Sequence, residues 1–541
     1  MLTVIGILIG LIVIVAIHDL CQKKHAILRN FPVIGHFRYM LETIGPELRQ
    51  YWVASDTEEK PYSRKVRAFV YSSAKGENNK IGFGSQEDYK APGQIHIRPS
   101  MFPIPDAHQK DKLDPIVIGP KRAKPFRIDW PLAVSDMSFG ALSEEAVRAL
   151  SSGARTAGIH MGTGEGGLTP YHLEGVVYKI GWSERIAWLI AYTLSFFSKR
   201  WQRTAPPVRK VGGARIIVEL GPAKFGFRTA DGQLDLAKLK ETCKDDQIGA
   251  VQIKLAQGAK PGQGGVLPAA KLTPEIAAIR GVPLGVDCVS PNCWSEFSDV
   301  PGLMQFVVML QKELGKPVGF KFVIGSDDFI RQVAQYMKET GEGPDFMVVD
   351  GGEGGTGAAP QSLADHVGMP ILHAIPIVDN ALREFGVRDQ VVLISSGKVA
   401  TPADVFIHLS LGSDACNIGR AFLLSIGCIQ SMRCHTNHCP TGITTQNKWL
   451  RRGLNPAEKY NRAANYAKTL QHELVMLLRS VGVRHSWELN RGHLTMVVSP
   501  GNEKPMNELF PYPQGGSALR QPEYARSAAS QPTVKPVVTR A

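Results

Sequence analysis

The sequence predicts an α/β protein built on a (β/α)8 TIM barrel, with a hydrophobic helix ahead of it and extra segments at both ends. Short β-rich apolar runs appear from residue 128 onwards, and eight of them can be counted. Each run is followed by a loop containing Gly or Ser and then by an amphipathic stretch of helix length. Repeated strand–loop–helix units are typical of a parallel sheet, and eight repeats favour a closed barrel. A doubly wound open sheet is the alternative, because strand order cannot be read from sequence.

The N terminus carries an unbroken apolar run from Leu2 to Ile17. At 1.5 Å per residue this run is about 24 Å long as a helix, and Leu20 and Cys21 extend it toward the roughly 30 Å hydrocarbon core. No basic residue precedes the run and no A-x-A cleavage site follows it, which argues against a removed signal peptide. Residues 1–20 are therefore predicted to be a single transmembrane helix, with the body of the protein in the cytoplasm on its basic side. A buried core helix is the alternative.

The rest of the chain divides by composition into four regions. Residues 21–127 are polar and interrupted by Pro, and we interpret them as a cover or linker; residues 128–452 are the predicted barrel. Residues 453–500 are predicted to be a C-terminal helical region. Residues 501–541 are rich in Pro, Gly, Ser and Gln, a composition that favours a disordered tail.

The barrel strands are predicted from the apolar runs. They are Leu132–Ser135, Ile159–Gly162, Val251–Lys254, Leu284–Val286, Val318–Phe322, Phe346–Asp350, Val391–Ser395 and Ala415–Ile418. The wide interval between the second and third runs holds an insertion, roughly over residues 171–211. Its apolar stretch Ile186–Phe197 is too short to span a bilayer comfortably, and we expect either an interfacial helix or a packed cover helix.

The charge of the chain favours a membrane or a protein partner over nucleic acid. The formal net charge is +13, yet the sequence has no Lys/Arg-rich helix, no zinc-finger spacing and no signature of stacking aromatics. Much of the excess lies at residues 23–29, 199–210 and 451–452. An anionic membrane surface or an acidic electron carrier suits such patches. No nucleic-acid partner is expected.

Glycine-rich loops follow four of the predicted strands, at Gly162–Gly167, Ala256–Gly265, Asp350–Pro360 and Asn417–Ala421. Glycine lets the backbone approach a ligand closely, and bare N–H groups bind anions. In such barrels a phosphate usually lies against the loops after strands seven and eight. The sequence offers Lys398 and Arg420 there, which predicts a ligand bearing phosphate.

Two lysines end predicted strands, namely Lys254 and Lys321. A lysine that points into a barrel mouth is costly unless it meets an anion. A reduced flavin, which carries negative charge near N1 and O2, is one candidate, and the carboxylate of an oxo-acid is another. The alternative is that these side chains extend outward or pair with Asp350.

Three of the eight cysteines form a C-x5-C-x4-C pattern, as Cys428, Cys434 and Cys439. This spacing is typical of a metal site rather than of the disulfides of a small secreted domain, so we expect a reduced compartment. Three thiolates suit a three-iron cluster. Zinc is equally compatible with the spacing, with His435 or His438 as a fourth ligand. Buried free cysteines are the third alternative.

The order of these motifs resembles the FMN domain of the glutamate synthase large subunit. The matching segments are Ser135–Ala146, Gly162–Gly167, Gln252–Gly265, Asp350–Pro360 and Gly427–Gln446. The resemblance implies an FMN barrel in which 2-oxoglutarate and ammonia form 2-iminoglutarate, which receives a hydride from reduced FMN to become glutamate. It also implies a 3Fe–4S cluster on the three cysteines, which passes electrons from a separate donor to the flavin.

The resemblance further implies roles for individual residues. FMN would be contacted by Met137, Ser138, Gly140, Lys321, Gly354, Gly355, Lys398, Gly419 and Arg420. Lys254, Gln257 and Lys271 would hold the oxo-acid, and Glu165 would be the proton-handling catalytic residue beside Lys254. Such roles agree with simple chemistry, because cations bind carboxylates and phosphate and a carboxyl group near an imine can transfer protons.

The chain also departs from this family. A hydrophobic helix stands where the family has a glutaminase domain, and no glycine-repeat domain is recognised at the C terminus. No G-x-G-x-x-G motif that follows a strand opens a Rossmann unit, so NADPH is not expected to bind in the usual way. The segment Val289–Asp299 stands where the family tends to carry a segment that bears His and Asp. Two alternatives therefore stay open: a related flavin enzyme acting on another amino or imino acid or a methylated amine, and a membrane-bound electron-transfer module.

Overall fold

A computed structural model describes residues 2–42, 57, 59–105, 113–179, 186, 208–514, 518, 520 and 522–525. The helices are α1 (Leu2–Cys21), α2 (Ala26–Asn30), α3 (Arg64–Lys75), α4 (Glu144–Ala157), α5 (Pro170–Glu174), α6 (Leu236–Thr242), α7 (Pro274–Arg280), α8 (Val300–Leu314), α9 (Asp328–Thr340), α10 (Gln361–His366), α11 (Ile371–Glu384), α12 (Pro402–Leu411), α13 (Arg420–Ser425), α14 (Lys448–Arg451), α15 (Pro456–Val481) and α16 (Met506–Leu509). The strands are β1 (Ile95–Ile97), β2 (Ile116–Ile118), β3 (Phe126–Ile128), β4 (Leu132–Val134), β5 (His160–Gly162), β6 (Val176–Lys179), β7 (Val208–Val211), β8 (Ile216–Leu220), β9 (Ile248–Lys254), β10 (Val266–Leu267), β11 (Cys288–Val289), β12 (Val318–Phe322), β13 (Phe346–Asp350), β14 (Val392–Ser396), β15 (Ala415–Ile418), β16 (Leu494–Ser499) and β17 (Asn502–Pro505).

Eight parallel strands close into a barrel in the order β4, β5, β8, β9, β12, β13, β14 and β15. The last strand pairs with the first, with Asn417 opposite Ala133. Strands β8, β9, β12, β13 and β14 are buried along their whole length. Such continuous burial is typical of parallel strands that are covered on both faces. The predicted (β/α)8 barrel is confirmed, and all eight strands end at one rim.

Seven of the predicted strands coincide with barrel strands, but the fourth prediction is wrong. Leu284–Val286 is an exposed turn, with both end residues 53% exposed, and Gly285 at its centre has a left-handed φ of 84°. The missed strand is β8, which stands third in the barrel. Its apolar run contains Glu219, a charged residue that lies 2% exposed inside the barrel, so hydrophobic pattern alone did not distinguish it.

The insertion between the second and third barrel strands begins and ends as the antiparallel pair β6–β7. Apart from Ile186, the apolar stretch Ile186–Phe197 lies outside the described residues. Its interfacial or covering role therefore stays a prediction.

The N-terminal end of the barrel is covered by the hairpin β2–β3 and by part of the C-terminal tail. Phe126 and Tyr524 belong to one buried cluster at this end. The Arg520 guanidinium lies 2.7 Å from Asp414 Oδ1, and the Tyr524 hydroxyl lies 3.0 Å from the same oxygen. The prediction of disorder for residues 501–541 is therefore wrong for the described part of that segment. Composition did not reveal that a few tail residues have buried partners on the barrel.

In the most apolar part of helix α1, only 6% of the residues are buried, and the mean hydropathy is 2.7. Among the described residues it is the one helix that is long and apolar enough to cross a membrane, a test that a signal sequence also passes. Its end is held by Asp19, which is fully buried and accepts hydrogen bonds of 2.8 Å from both Val33 N and His36 Nε2. The Asn30 amide donates to the carbonyl of Leu450 at 2.6 Å. The same amide lies 3.4 Å from the carbonyl of Pro440, so the segment after α1 is attached directly after Cys439.

Candidate active site at the rim of the barrel

Lys254, Glu165 and Gln257 meet at the C-terminal rim of the barrel. Lys254 is the last residue of β9, and its Nζ lies 2.7 Å from Glu165 Oε1 and 2.7 Å from Gln257 Oε1. The Lys254 and Glu165 side chains are 10% and 12% exposed. Burial alone would raise the pKa of Glu165, but the Lys254 ammonium holds it below its ordinary value. The three residues, which we call the rim trio, therefore contain an ionised carboxylate, a cation and an amide.

The rim trio lines a pocket that is also lined by the segment Val289–Asp299. Pro291 and Asn292 line this pocket, and the Trp294 indole donates to the Lys254 carbonyl at 2.9 Å. The backbone at Gly265 passes so close that a Cβ there would lie 2.3 Å from Glu165 Oε1. The part of the chain that departs from the glutamate synthase pattern thus forms a wall of the candidate substrate pocket.

Lys271 is not brought together with the rim trio. Its Nζ donates to the main-chain carbonyls of Ala141, Cys434 and Thr444 at 2.9, 3.3 and 3.1 Å. Burial lowers the pKa of Lys271 to about 8. Lys271 therefore joins the loop after the first strand to the cysteine loop, and its contact with an oxo-acid stays a prediction.

Lys321 lies inside the barrel within a polar group formed with Asp136, Glu219 and Gln252, which we call the inner cluster. The Lys321 ammonium is 3.1 Å from Asp136 Oδ2 and 3.7 Å from Glu219 Oε2. Gln252 Nε2 donates to both carboxyl groups, at 3.0 Å to Asp136 and 2.7 Å to Glu219. Although burial opposes it, these two carboxyl groups raise the pKa of Lys321 above its ordinary value. Sequence reasoning identified Lys321 but missed its partners; the signal for Glu219 was a charge inside an apolar run.

The residues predicted to bind the FMN phosphate lie on the loops after strands seven and eight. Lys398 is exposed and has a left-handed φ of 56°. Arg420 Nη2 donates to the Glu353 carbonyl at 2.5 Å, and the guanidinium lies 5.2 Å from the centre of the Tyr62 ring. Arg420 is therefore held against the strand-six loop, beside the predicted contacts Gly354 and Gly355.

The backbone at Gly419 has few close neighbours. A Cβ there would meet only Ser135 Cβ at 3.5 Å and Met137 Sδ at 3.9 Å. The predicted contacts Met137, Ser138 and Gly140 follow the first strand, next to the eighth in the closed barrel. Loosely packed glycine backbone beside the two cations Lys398 and Arg420 fits a phosphate-bearing cofactor such as FMN.

The three cysteines lie on one loop. The Cys439 thiol acts electrostatically on both Cys428 and Cys434, and the Cys434 thiol acts on Cys428. Burial raises the pKa of Cys428 to about 12 and also raises that of Cys434. Burial would raise the pKa of Cys439 as well, but hydrogen bonds from Thr441 and Thr444 lower it overall. Within the described ranges, no three His, Cys, Asp or Glu side chains form a group that could hold a metal ion. Three thiols are chemically suitable ligands for an iron–sulfur cluster. In this structure, however, the three cysteines do not form a metal-binding group.

Comparison with known proteins identifies the family. Residues 90–484 match the profile described as the conserved region in glutamate synthase. The chain is 36% identical over 546 residues to the glutamate synthase large subunit-like protein YerD of Bacillus subtilis, covering 93% of this chain and 97% of that protein. It is 33% identical over 392 residues to the archaeal glutamate synthase (NADPH) of Methanocaldococcus jannaschii, covering 72% of this chain and 66% of that one.

Among solved structures, a mutant flavocytochrome b2 with pyruvate bound is similar at a TM-score of 0.41 and 13% identity, over 85% of each chain. The barrel fold does not depend on this distant likeness, because the strand pairing shows the closed barrel directly. The family profile covers most of the chain. Motifs that this chain shares with the family lie at the C-terminal rim of the barrel. The chain belongs to the glutamate synthase family and is an oxidoreductase acting on a CH–NH2 group.

Proposed function

We propose that this protein is a glutamate synthase that reductively aminates 2-oxoglutarate with ammonia through 2-iminoglutarate. The rim trio is the observation that carries this proposal. An oxo-acid needs a cation for its carboxylate, and Lys254 offers one with an amide, Gln257, at 2.7 Å. A charge-assisted hydrogen bond of this kind is worth about 1.5–3 kcal/mol. A barrel that only relayed electrons would have no use for such a pocket.

Glu165 supports the amination step. As an ionised carboxylate it takes a proton from ammonium so that ammonia can add to C2 of the oxo-acid, and it returns a proton to the hydroxyl group that leaves as water. The low pKa of Glu165 depends on Lys254. Lys254 would therefore bind the substrate and also keep Glu165 ionised.

FMN is the cofactor that these loops suit. Lys398 and Arg420 would bind its phosphate, together with Gly354, Gly355 and Gly419. Met137, Ser138 and Gly140 would support the ring system from the first strand, and Lys321 would balance negative charge on the ring. When bound, FMN supplies the hydride for C2 of the imine.

A 3Fe–4S cluster on Cys428, Cys434 and Cys439 would bring electrons from a separate donor. Three thiols on one loop provide the three ligands that such a cluster needs. Lys271 supports the arrangement, because it bonds the Cys434 carbonyl and also the loop that follows the first strand.

We further propose that α1 anchors the protein in a membrane, with the barrel in the cytoplasm. Beyond α1, residues 35–42 are helical. Apolar side chains on this helix and just before it are exposed: Ile34 is 79% exposed, Phe37 60% and Met40 48%. Apolar side chains of this kind beside a spanning helix suit the bilayer interface. The bond from Asn30 to Leu450 brings this interface to the flank of the cysteine loop. A membrane-bound donor is therefore the electron source that we favour.

The test is to purify the full chain in detergent, record its flavin and iron–sulfur absorption, and measure turnover with 2-oxoglutarate, ammonium and a reduced artificial donor. Flavin absorption with ammonium-dependent formation of glutamate is expected. Replacing 2-oxoglutarate with a panel of other oxo-acids tests the related-enzyme alternative, because the wall 289–299 differs from the family pattern. Bound flavin with no turnover of any oxo-acid would leave only the electron-transfer module. Release of the full chain from membranes by carbonate would contradict the anchor.

A further inference from the structure

The inner cluster holds more carboxyl groups than cations. Lys254 is already paired with Glu165, and Asp350 Oδ2 accepts a 2.7 Å hydrogen bond from Gly258 N. Lys321 is therefore left with both Asp136 and Glu219, whose side chains are 4% and 2% exposed. Two buried carboxylates beside a single ammonium would leave one negative charge without a partner, which is costly away from water.

The geometry favours one proton shared between the two carboxyl groups. Gln252 Nε2 lies 3.0 Å from Asp136 Oδ2 and 2.7 Å from Glu219 Oε2, so one amide group bridges the pair. The Lys321 ammonium is closer to Asp136, at 3.1 Å, than to Glu219, at 3.7 Å. The carboxylate charge is thus best placed on Asp136 and the proton on Glu219. Glu219 is held in place at its backbone, where its N–H donates to Thr163 Oγ1 at 3.0 Å.

The charged groups around Glu219 agree with this assignment. Those acting on it are Asp136, Lys321, Lys254 and Glu165; Asp350 acts on Lys321, and His160 interacts with Asp136. Burial lowers the pKa of His160 to about 4, so that ring is neutral. Burial, and then the Asp136 carboxylate, raise the pKa of Glu219 to about 8. Burial opposes ionisation of Asp136, but Lys321 keeps its pKa low.

We propose that Asp136 and Glu219 form a proton-binding pair that couples reduction of the flavin to uptake of a proton. This inference rests on the proposed FMN site, in which Lys321 would contact the flavin ring. At high pH both carboxyl groups are ionised while the flavin is oxidised and neutral. Two electrons from the donor and one proton produce the anionic reduced flavin. Its new negative charge beside Lys321 favours a second proton from solvent, which forms the O–H bond on Glu219.

The test is the pH dependence of the flavin midpoint potential in the full-length protein with bound FMN, measured by spectroelectrochemistry. One proton per two electrons moves the midpoint potential by about 30 mV per pH unit, and two protons by about 60 mV. The unsubstituted protein should change from the shallow to the steep slope above pH about 8. Glu219→Gln, which keeps the shape and removes the titration, should retain the shallow slope throughout.

Glu165→Gln is the matched control, since it neutralises another buried carboxylate of the site, and it should keep the steep slope at high pH. Asp136→Asn is a second variant in case Glu219→Gln does not fold. It leaves Glu219 as the one carboxylate facing Lys321, so Glu219 should ionise and the steep slope should disappear. An identical slope change in the unsubstituted protein and in Glu219→Gln, or none in the unsubstituted protein, would overturn the inference.

Infrared spectra of the protein without flavin separate this inference from the proposed function. A protonated carboxyl band should be present at neutral pH and absent in Glu219→Gln, whether or not FMN binds. A chain that shows this band but cannot be loaded with FMN would contradict the proposed cofactor and keep the shared proton. A chain that binds FMN but lacks the band would keep the proposed cofactor and contradict the shared proton.

Discussion

Lys254→Ala offers the sharpest test of the rim trio. The change removes the cation that lies 2.7 Å from both Glu165 and Gln257. Losing one charge-assisted hydrogen bond to the oxo-acid costs about 1.5–3 kcal/mol, which corresponds to about a ten- to hundredfold rise in KM. Glu165 then keeps its burial but loses the ion pair, so its pKa should rise. The acidic limb of the kcat profile should consequently move to higher pH.

The assay is steady-state formation of glutamate at varied 2-oxoglutarate concentration and pH, with flavin content measured in the same samples. Lys316→Ala is the matched control: Lys316 is also buried, 2% exposed, and donates to the Asp245 carbonyl at 2.8 Å, just before the first residue of β9. It should lower stability without changing KM or the pH profile. An unchanged KM and an unchanged acidic limb in Lys254→Ala would refute the assignment of the pocket.

Three further predictions concern the cofactors and the stability of the barrel. Arg420→Ala should lower FMN retention on gel filtration, and full occupancy in a Lys398/Arg420 double-alanine variant would contradict the proposed phosphate site. Cys439→Ser should abolish the iron–sulfur absorption of anaerobically prepared protein; stoichiometric zinc with negligible iron in the unsubstituted protein would indicate a zinc site instead. Asp379→Ala should cost about 3–5 kcal/mol in urea unfolding, because it leaves buried cations such as Arg491 unpaired. Burial opposes ionisation of Asp379, but its arginine partners lower its pKa; its contribution should therefore be present above the ordinary Asp pKa and be lost as pH falls through the folded value.

Much of the candidate site could be predicted because chemistry-bearing residues stand at strand ends. Lys254 and Lys321 close two apolar runs, and the structure places both at the rim or just inside it. Their partners could not be predicted in the same way. Lys254 meets Glu165 across 89 positions of sequence, and Lys321 meets Asp136 across 185. No local pattern carries information over such intervals.

The errors have the same origin. Leu284–Val286 has the composition of a strand, yet the left-handed Gly285 makes it a turn. The run of β8 contains a charge, yet it is a barrel strand because that charge has partners inside. The contact of Lys271 with the oxo-acid stays a prediction; in the structure its ammonium donates to the carbonyls of Cys434 and Thr444.

The sequence by itself determined the barrel class, seven of its strands, the glycine loops and the family, because each of these is written in local periodicity or in contiguous motifs. Only the tertiary structure decided which charges are neighbours. Closing the barrel brings Asp136, Glu219 and Lys321, from the first, third and fifth strand positions, into one buried group. Their ionisation depends on burial and on distances between strands, and these quantities exist only once the sheet has closed.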